Sequence, residues 1–405
     1  RGPRRLTPAT TRYGLYVHIP FCPQRCPYCA FAVETGRMDM VERYVAAVCA
    51  EIEASKGSSS WGNLSPFDTV FFGGGTPSRL PPAAIARILE TADRVFGLSA
   101  GAEITLEANP TTADAAHFSA LRDVGVNRLS IGVQSLVDDT LRLLGRTHNA
   151  ADAKRAYCLA RETQFDSINT DLIFSVPAEP LAALTSTIEQ MLALEPDHIS
   201  AYSLTVEENT PFHRRRLLGD LPLVDEDDDA AMFLHVRQCL GNSDYEQYEI
   251  SNFSRLGHRC QHNWDCWTGG EYLGVGLSAH SFAAGQRWWN VLDLDDYCEK
   301  IETGHSARAG CENIDMHRAL EERIWLGLRT CEGVDLLASE RQIVHYDRQC
   351  QQLRKTGRLV LEGHRLRLIG DGFAIADAVA ASVIDALANP VMAAEPDMST
   401  ERESV

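Results

Sequence analysis

The chain has 405 residues and carries 38 Lys and Arg against 56 Asp and Glu, a formal net charge of −18. A hydrophobic content of 44% and a charged content of 23% exclude a disordered or fibrous chain, and the length suggests one large domain plus a smaller one. Binding to nucleic-acid phosphates needs a basic surface, so the acidic balance predicts no nucleic-acid partner.

Membrane and secretion signals are absent from the sequence pattern. No apolar run reaches the roughly 18 residues that span a bilayer, and the N-terminal residues lack an apolar signal region. A long chain without a signal peptide favours free thiols over a disulfide scaffold for its 12 cysteines. We therefore expect a cytoplasmic protein.

Apolar runs alternate with helical patterns over the first half of the chain. Strands are predicted at 14–20, 67–74, 103–109, 128–135, 167–177 and 198–206, with helices between them at 41–55, 82–96, 113–124, 151–163 and 181–194. This alternation is typical of a parallel sheet, and six repeats make an incomplete barrel. The predicted fold class is therefore α/β, a partial (βα)6 TIM-like barrel, with functional residues at the C-terminal ends of its strands.

The second half of the chain predicts a smaller α+β domain. An acidic run at 225–229 suits the start of a helix, and a Gly-, Trp- and His-rich stretch follows at 258–290. Short helices, a hairpin at 358–370 and a last helix to Leu387 suggest a winged-helix-like module. The predicted divisions are an N-terminal arm (1–12), a barrel core (13–255), a C-terminal domain (256–388) and a disordered tail (389–405).

Three cysteines follow the first predicted strand at CxxxCxxC spacing: Cys22, Cys26 and Cys29. Three thiolates on one tight loop can hold three corners of a cubane [4Fe-4S] cluster and leave the fourth iron without a protein ligand. An open coordination position is where a substrate or cofactor binds. The alternative is a structural zinc site completed by His18 or a distant residue.

This cysteine loop, followed by six βα repeats, resembles the radical S-adenosylmethionine (radical SAM) superfamily. The resemblance implies a [4Fe-4S] cluster on the three cysteines and SAM chelated to the open iron through its amino and carboxylate groups. It also implies that the reduced cluster can cleave SAM to a 5′-deoxyadenosyl radical. Whether this chain uses that radical is left open.

Polar and glycine residues near the predicted strand ends are candidate SAM contacts. Glycines permit close approach of backbone to a ligand, carboxylates and amides accept hydrogen bonds from amino and ribose groups, and Arg146 suits the SAM carboxylate. Tyr16 and His18 share one face of the first strand, near the cysteine loop. The predicted cofactor-binding residues are Tyr16, Gly73, Gly74, Gly75, Thr76, Glu107, Gln134, Arg146 and Asp171.

A narrower resemblance rests on the segments YVHIPFC, FFGGGTPS, LEANP, RLSIGVQS, DLIFSVP, ISAYSLTVE and YEQYEISNF. Together they are similar to the oxygen-independent coproporphyrinogen III oxidase-like family, over roughly residues 13–387. That family has an oxidase branch and a haem chaperone branch. The oxidases carry a fourth cysteine where this chain has Phe31, and a longer segment before the first strand. Both differences favour the chaperone branch.

The chaperone branch also has an HNxxYW motif associated with haem, and residues 262–267 read HNWDCW. The imidazole of His262 suits an axial ligand of haem iron, and Trp264 and Trp267 offer apolar faces to a porphyrin. Cys266 stands at the tyrosine position of the motif. It could supply a thiolate, but a free cysteine more often fills space as a small apolar residue.

The resemblance implies a haem chaperone that binds a [4Fe-4S] cluster, SAM and haem and delivers haem to acceptor apo-proteins. It further implies transient contact with membrane-bound respiratory enzymes and a homodimer. No residue is assigned a catalytic role. Two alternatives stay open: an enzyme that decarboxylates coproporphyrinogen III through the deoxyadenosyl radical, and a zinc-stabilised regulatory protein that uses its winged-helix-like end.

Overall fold

The computed structural model describes residues 12–57 and 66–389. The predicted arm before Arg12 and the predicted tail after Asn389 lie outside the described residues. Within the described ranges, none of the helices combines the length and apolarity that a membrane span requires.

All six predicted strands are present, and helices separate them as expected. In chain order the elements are β1 (Tyr13–Ile19), β2 (Phe21–Cys22), β3 (Glu34–Thr35), α1 (Val41–Ser55), β4 (Phe67–Gly74), α2 (Pro82–Phe96), β5 (Leu98–Ala108), α3 (Ala115–Asp123), β6 (Arg128–Gln134), α4 (Asp138–Leu143), α5 (Ala150–Glu162), β7 (Ser167–Phe174), α6 (Leu181–Leu192) and β8 (His198–Ser203). The barrel strands β1, β4, β5, β6, β7 and β8 pair in parallel in that order. The partial (βα)6 barrel is confirmed.

Local sequence explains why these elements begin and end where they do. Helix α2 opens with a proline in its first turn and stops at Gly97, whose φ of 85° favours glycine. Asn149 and Asp152 form a reciprocal capping box at the start of α5. Strand β7 ends three residues earlier than predicted because Ser175 takes a positive φ of 58° and turns the chain.

The remaining elements extend the sheet on both sides. They are α7 (Pro211–Leu217), α8 (Glu226–Gly241), β9 (Glu246–Gln247), β10 (Asn252–Ser254), α9 (Gln261–Trp267), β11 (Glu271–Val275), β12 (His280–Ala283), β13 (Gln286–Asn290), α10 (Leu294–Glu302), β14 (Arg308–Asn313), α11 (Met316–Gly327), β15 (Val334–Asp335), α12 (Ala338–Tyr346), α13 (Arg348–Lys355), β16 (Leu359–Glu362), β17 (Arg365–Leu368) and α14 (Ala376–Ala388). The acidic run caps α8 as expected, with the Asp225 side chain accepting from the Asp228 N–H.

Among the described residues the sheet has 12 strands, in the order β14-β13-β12-β11-β1-β4-β5-β6-β7-β8-β10-β9. Strand β11 pairs in parallel with β1, so residues 271–313 continue the barrel sheet. No strand is predicted from the sequence at 258–290, because short strands broken by glycines carry little alternation. The predicted boundary after residue 255 thus divides strands of one sheet, and the division into domains stays a prediction.

A second hydrophobic core lies in the C-terminal part of the chain, around Ile324, Val344, Leu366 and Val379. It packs α11–α14 against a small sheet in the order β15-β17-β16. The predicted hairpin is present, and its turn residue Gly363 has a φ of 62°. The expected smaller α+β unit is confirmed.

Candidate functional site

A cavity of about 500 Å³ opens at the C-terminal ends of the barrel strands. Most of the predicted site residues line it, although they come from six separate segments of the chain. Those residues are Cys22, Cys26, Cys29, Gly74, Gly75, Thr76, Glu107, Gln134, Arg146 and Asp171. The strand ends converge here because the strands run in parallel.

The three cysteines lie on one turn, half-buried, with free thiols. The Cys29 N–H donates to the Cys26 carbonyl at 3.1 Å, which tightens the loop. Thr76 Oγ1 lies 3.3 Å from Cys22 Sγ, and Arg146 Nη1 lies 3.7 Å from Cys26 Sγ. Burial raises the pKa of Cys22 and of Cys29. Hydroxyl and guanidinium groups beside sulfur stabilise a thiolate, so the donor set suits thiolate ligation.

A single-ion site is not formed by these side chains. Within residues 12–57 and 66–389, no three His, Cys, Asp or Glu side chains are arranged around one metal ion. A cubane cluster is different, because each thiolate binds a separate iron atom and the sulfurs need not converge on a point. Three thiols facing one cavity therefore fit a cluster.

The glycine stretch at the end of β4, residues 73–75, brings backbone atoms to the wall of the cavity. Gly74 donates its N–H to Glu107 Oε2 at 3.0 Å, and Gly75 donates to the Ile19 carbonyl at 2.8 Å. A Cβ on Gly75 would lie only 2.6 Å from the Pro20 carbonyl oxygen. Burial, with a smaller contribution from the charge of Asp171, raises the pKa of Glu107 to about 8. A cationic ligand group beside Glu107 would favour its charged form.

Gln134 and Arg146 present polar atoms that the described residues do not satisfy. Gln134 ends β6 with a φ of 67°, next to a register shift, and its buried Oε1 has no hydrogen-bond partner among them. Arg146 donates through Nη2 to the Gly132 carbonyl at 3.0 Å, while its buried Nε has no partner there. Since buried polar groups are normally hydrogen-bonded, these atoms indicate a polar ligand. The residues present fit SAM.

Asp171 lies deeper in the same cavity. Asn169 donates to its Oδ1 at 2.7 Å and Ser130 at 3.3 Å, and burial raises its pKa to about 6. At neutral pH it is mostly ionised and can accept hydrogen bonds from hydroxyl groups.

Two predicted SAM residues do not line this cavity. The Tyr16 hydroxyl lies 3.1 Å from His18 Nδ1, and the tyrosine ring packs against Phe71. Gly73 faces these rings, and a Cβ there would lie 2.9 Å from Phe71. His18 also reaches the Ala32 carbonyl with Nε2 at 2.8 Å. Both of its ring nitrogens are engaged, so His18 is a satisfied buried histidine and the zinc alternative loses this ligand.

A second cavity of about 430 Å³ lies between the barrel and the added strands. Its walls include His262, Cys266, Tyr272 and His280. It shares Ala30, Phe31, Phe71 and Asn263 with the first cavity. His262 is 5% exposed and lies in helix α9. Its Nδ1 is 2.8 Å from Thr69 Oγ1, which leaves Nε2 as the nitrogen that can bind iron. Burial lowers the pKa of His262 to about 4, so the ring is neutral at physiological pH.

The neighbours of His262 in α9 differ in their placement. Cys266 lines the second cavity, and burial raises the pKa of its thiol to about 12, so it is a neutral group there. This agrees with the expected space-filling role. Trp264 packs edge-on against Tyr248 and beneath Arg259, and neither Trp264 nor Trp267 lines the second cavity. The expected porphyrin contacts of these two tryptophans stay predictions.

Several cavity residues were missed by sequence reasoning. They are Arg128, Ser130, Asn169, Ser200, Tyr202 and Asn263. The first two share a face of β6 with Gln134, and Asn169 shares a face of β7 with Asp171, because strand side chains alternate. Polar residues at alternate positions of an otherwise buried strand were the available signal.

A partial (βα)6 barrel with three cysteines on the loop after its first strand is the architecture of radical SAM proteins. The family model "Radical SAM superfamily" matches residues 16–191. The chain is 35% identical to the mouse protein "Radical S-adenosyl methionine domain-containing protein 1, mitochondrial", covering 94% of this chain and 89% of that one. It is 33% identical to "Heme chaperone HemW" of Mycobacterium tuberculosis, covering 92% and 95%.

The structure also resembles coproporphyrinogen III oxidase (HemN) from Escherichia coli, with a TM-score of 0.78, 22% identity and coverage of 92% and 90%. At that identity the likeness shows the fold. The chain belongs to the radical SAM superfamily, in the HemN-like group whose members include proteins named haem chaperone HemW.

Proposed function

We propose that this protein is a haem chaperone that binds a [4Fe-4S] cluster, SAM and haem, and delivers haem to acceptor apo-proteins. The observation that carries the proposal is the similarity over nearly the whole chain to proteins named haem chaperone. Phe31, where the oxidase branch has a cysteine, is 65% exposed beside the cysteine loop and supports the same branch.

In this proposal Cys22, Cys26 and Cys29 hold the cluster, and the first cavity holds SAM. Bound together, these groups supply one-electron cleavage of SAM. Glu107 accepts from the SAM amino group, Arg146 pairs with its carboxylate, and Gln134 and Asp171 accept from the ribose. Gly74, Gly75 and Thr76 bring the strand end close to the ligand. Each assignment rests on the lining of the cavity, and those of Gln134 and Arg146 rest also on the unsatisfied polar atoms described above.

His262 is the proposed axial ligand of haem iron. The contact to Thr69 orients the ring, and burial keeps it unprotonated, which is the state that binds iron. Haem transfer then depends on binding and release rather than on conversion of the porphyrin. The acceptor apo-proteins, contact with membrane-bound respiratory enzymes and a homodimer remain part of the proposal.

An absorbance titration of the cluster-reconstituted protein with haemin tests the haem site. We expect a shifted Soret band in the wild type and in His305→Ala, an exposed histidine in the turn after α10. In His262→Ala the shifted band should be lost or moved. An unshifted band in the wild type, or the same shift in His262→Ala, would remove the proposed haem ligand.

A second assay separates the chaperone from the oxidase. The protein with reduced cluster and SAM is incubated anaerobically with coproporphyrinogen III, and carbon dioxide and 5′-deoxyadenosine are measured. We expect no release of carbon dioxide. Substrate-dependent loss of two carboxylates would show that the protein is an oxidase and overturn the proposal.

A further inference from the structure

Arg128 is a buried cation with no hydrogen-bond or ion-pair partner for its side chain among the described residues. The residue is 3% exposed, yet no described residue makes a hydrogen bond or an ion pair with its guanidinium, and its Nε is buried without a hydrogen-bond acceptor. A buried charge costs several kcal/mol unless it is paired or hydrogen-bonded. An arginine kept in this state indicates that its partner is a molecule that enters the cavity.

The guanidinium faces the first cavity from below the proposed SAM residues. Arg128, Ser130, Gly132 and Gln134 all line the cavity and lie at alternate positions of β6. Arg128 is the first residue of that strand and Gln134 the last, so about 20 Å of strand separates them. Arg128 is therefore set deep in the barrel, whereas Arg146 lies at the rim beside Cys26.

The two carboxylates whose charge acts on Arg128, Glu103 and Asp171, are already engaged elsewhere. Glu103 accepts the backbone N–H groups of Gln261 and His262, at 3.0 and 3.1 Å, at the start of α9. Asp171 accepts from Asn169 and Ser130. Neither lies within ion-pair distance of Arg128. The negative charges of Glu103 and Asp171 act on Arg128 from a distance and lower the free-energy cost of burying its charge. The N–H donors of the guanidinium stay available to a ligand.

We propose that Arg128 binds a carboxylate of the ligand that enters the barrel. For haem this carboxylate is a propionate, an assignment that rests on the proposed function. One guanidinium matches one negative charge and offers a bidentate fork to a carboxylate. A dianionic phosphate would fit poorly, because Asp171, which is mostly ionised at neutral pH, lines the same cavity. Asn263, next to His262 in α9, lines both cavities, so the two cavities adjoin and a ligand held at His262 lies beside the cavity that Arg128 faces.

The first test compares haemin with its dimethyl ester, in which both propionates are neutral. Binding to the anaerobic, cluster-reconstituted protein is followed by the Soret band. We expect haemin to bind the wild type at least about 10-fold more tightly than the ester. Arg128→Met should bind both compounds with the affinity of the ester. Arg161→Met should keep the preference for haemin over the ester. Arg161 is a partly exposed arginine of the outer helix α5, and it pairs with Asp197.

The second test uses 4-bromobenzoate, whose bromine marks its position in crystals by anomalous scattering. We expect its carboxylate at the Arg128 guanidinium in the wild type and no bound molecule in Arg128→Met. If haemin fails to bind the wild type but bromobenzoate occupies Arg128, the proposed function fails and the carboxylate site stands. If haemin binds and no preference over the ester is found, the propionate assignment is overturned while the chaperone proposal survives. An empty Arg128 site in the bromobenzoate crystals overturns the carboxylate site itself.

Discussion

The Nδ1 atom of His262 lies 2.8 Å from the hydroxyl oxygen of Thr69, a residue 193 positions earlier in the chain. Thr69 belongs to the barrel strand β4, and His262 to the helix that precedes the added strand β11. The contact therefore joins the proposed haem ligand to the barrel sheet. It also sets which ring nitrogen is free to bind iron.

Thr69→Val should weaken haem binding about 10-fold, because loss of a hydrogen bond to a ligating histidine lowers metal affinity by that order. The imidazole ring of His262 would still fit its site, but the hydrogen bond that orients it would be lost. The measurement is a haemin titration of the Soret band. Thr185→Val is a matched control, since Thr185 contacts His235 at the same distance of 2.8 Å on the outer helix α6. Unchanged haem affinity in Thr69→Val would show that the contact does not orient the ligand.

Binding of SAM should release a proton below pH 8. Glu107 has a pKa of about 8 and is mostly protonated at pH 7, whereas the SAM amino group favours its carboxylate form. We expect affinity to rise between pH 6 and 8, with Glu107 contributing nearly one of the protons released at pH 7. Calorimetry in two buffers of different ionisation enthalpy counts the protons. Ligation of iron by the SAM amino group releases a further proton, so the count in Glu107→Gln should be lower than in the wild type by nearly one; equal counts in the two proteins contradict the assignment.

The same pKa predicts how the ligand-free protein responds to pH. A carboxyl group that titrates near 4.5 when unfolded and near 8 when folded stabilises the fold at low pH. That contribution is fully present below about pH 4.5 and is lost as the pH rises through about 8. Urea unfolding of the wild type and Glu107→Gln should therefore give curves that diverge as the pH is raised.

Gly75→Ala should destabilise the protein by about 1–3 kcal/mol and weaken SAM binding. The added methyl group would lie 2.6 Å from the Pro20 carbonyl oxygen and 2.8 Å from that of Ile19, both backbone atoms next to the cysteine loop. Urea unfolding and SAM calorimetry measure the two effects. Gly241→Ala, where a methyl group meets nothing within 4 Å, serves as the control. Equal stability of the two variants would show that the strand end can move aside.

Glu51→Leu should lower the free energy of unfolding by about 3 kcal/mol or more, because it leaves buried donors without an acceptor. The Glu51 carboxylate accepts from the Gly276 N–H at 2.8 Å, from Asn290 Nδ2 at 2.7 Å and from the Tyr297 hydroxyl at 2.6 Å. It thus ties α1 to the added strands. Glu42→Leu, on the exposed face of the same helix, should change stability by less than about 0.5 kcal/mol in the same urea experiment.

Local patterns predicted the barrel well. The six parallel strands, the capped helices and the C-terminal hairpin each follow from the period of apolar residues and from turn residues within the segment itself. The strands β11–β13 could not be found in this way. They are short and rich in glycine, and β11 is specified by its pairing with β1, more than 250 residues away.

The candidate site was predicted in part for the same reason. Cys22, Cys26 and Cys29 are neighbours in sequence, so their spacing alone places them together, and residues at strand ends meet wherever strands are parallel. Tyr16 and Gly73 also lie on barrel strands, but Tyr16 lines the second cavity and Gly73 packs against the rings of Phe71 and Tyr16. The alternation of strand residues does not reveal this without the orientation of the sheet.

By itself, then, the sequence determined the alternation of strands and helices, the cysteine loop and the glycine turn beside it, because each depends on residues close together in the chain. Only the tertiary structure decided that Glu103 holds the start of α9, that Thr69 orients His262, and that Arg128 faces the cavity with no ion-pair partner in the part of the chain that the structure describes. The first two relationships join residues far apart in sequence, and the third depends on which side chains surround the cavity. Burial and charge pairing at such places exist only once the barrel has folded.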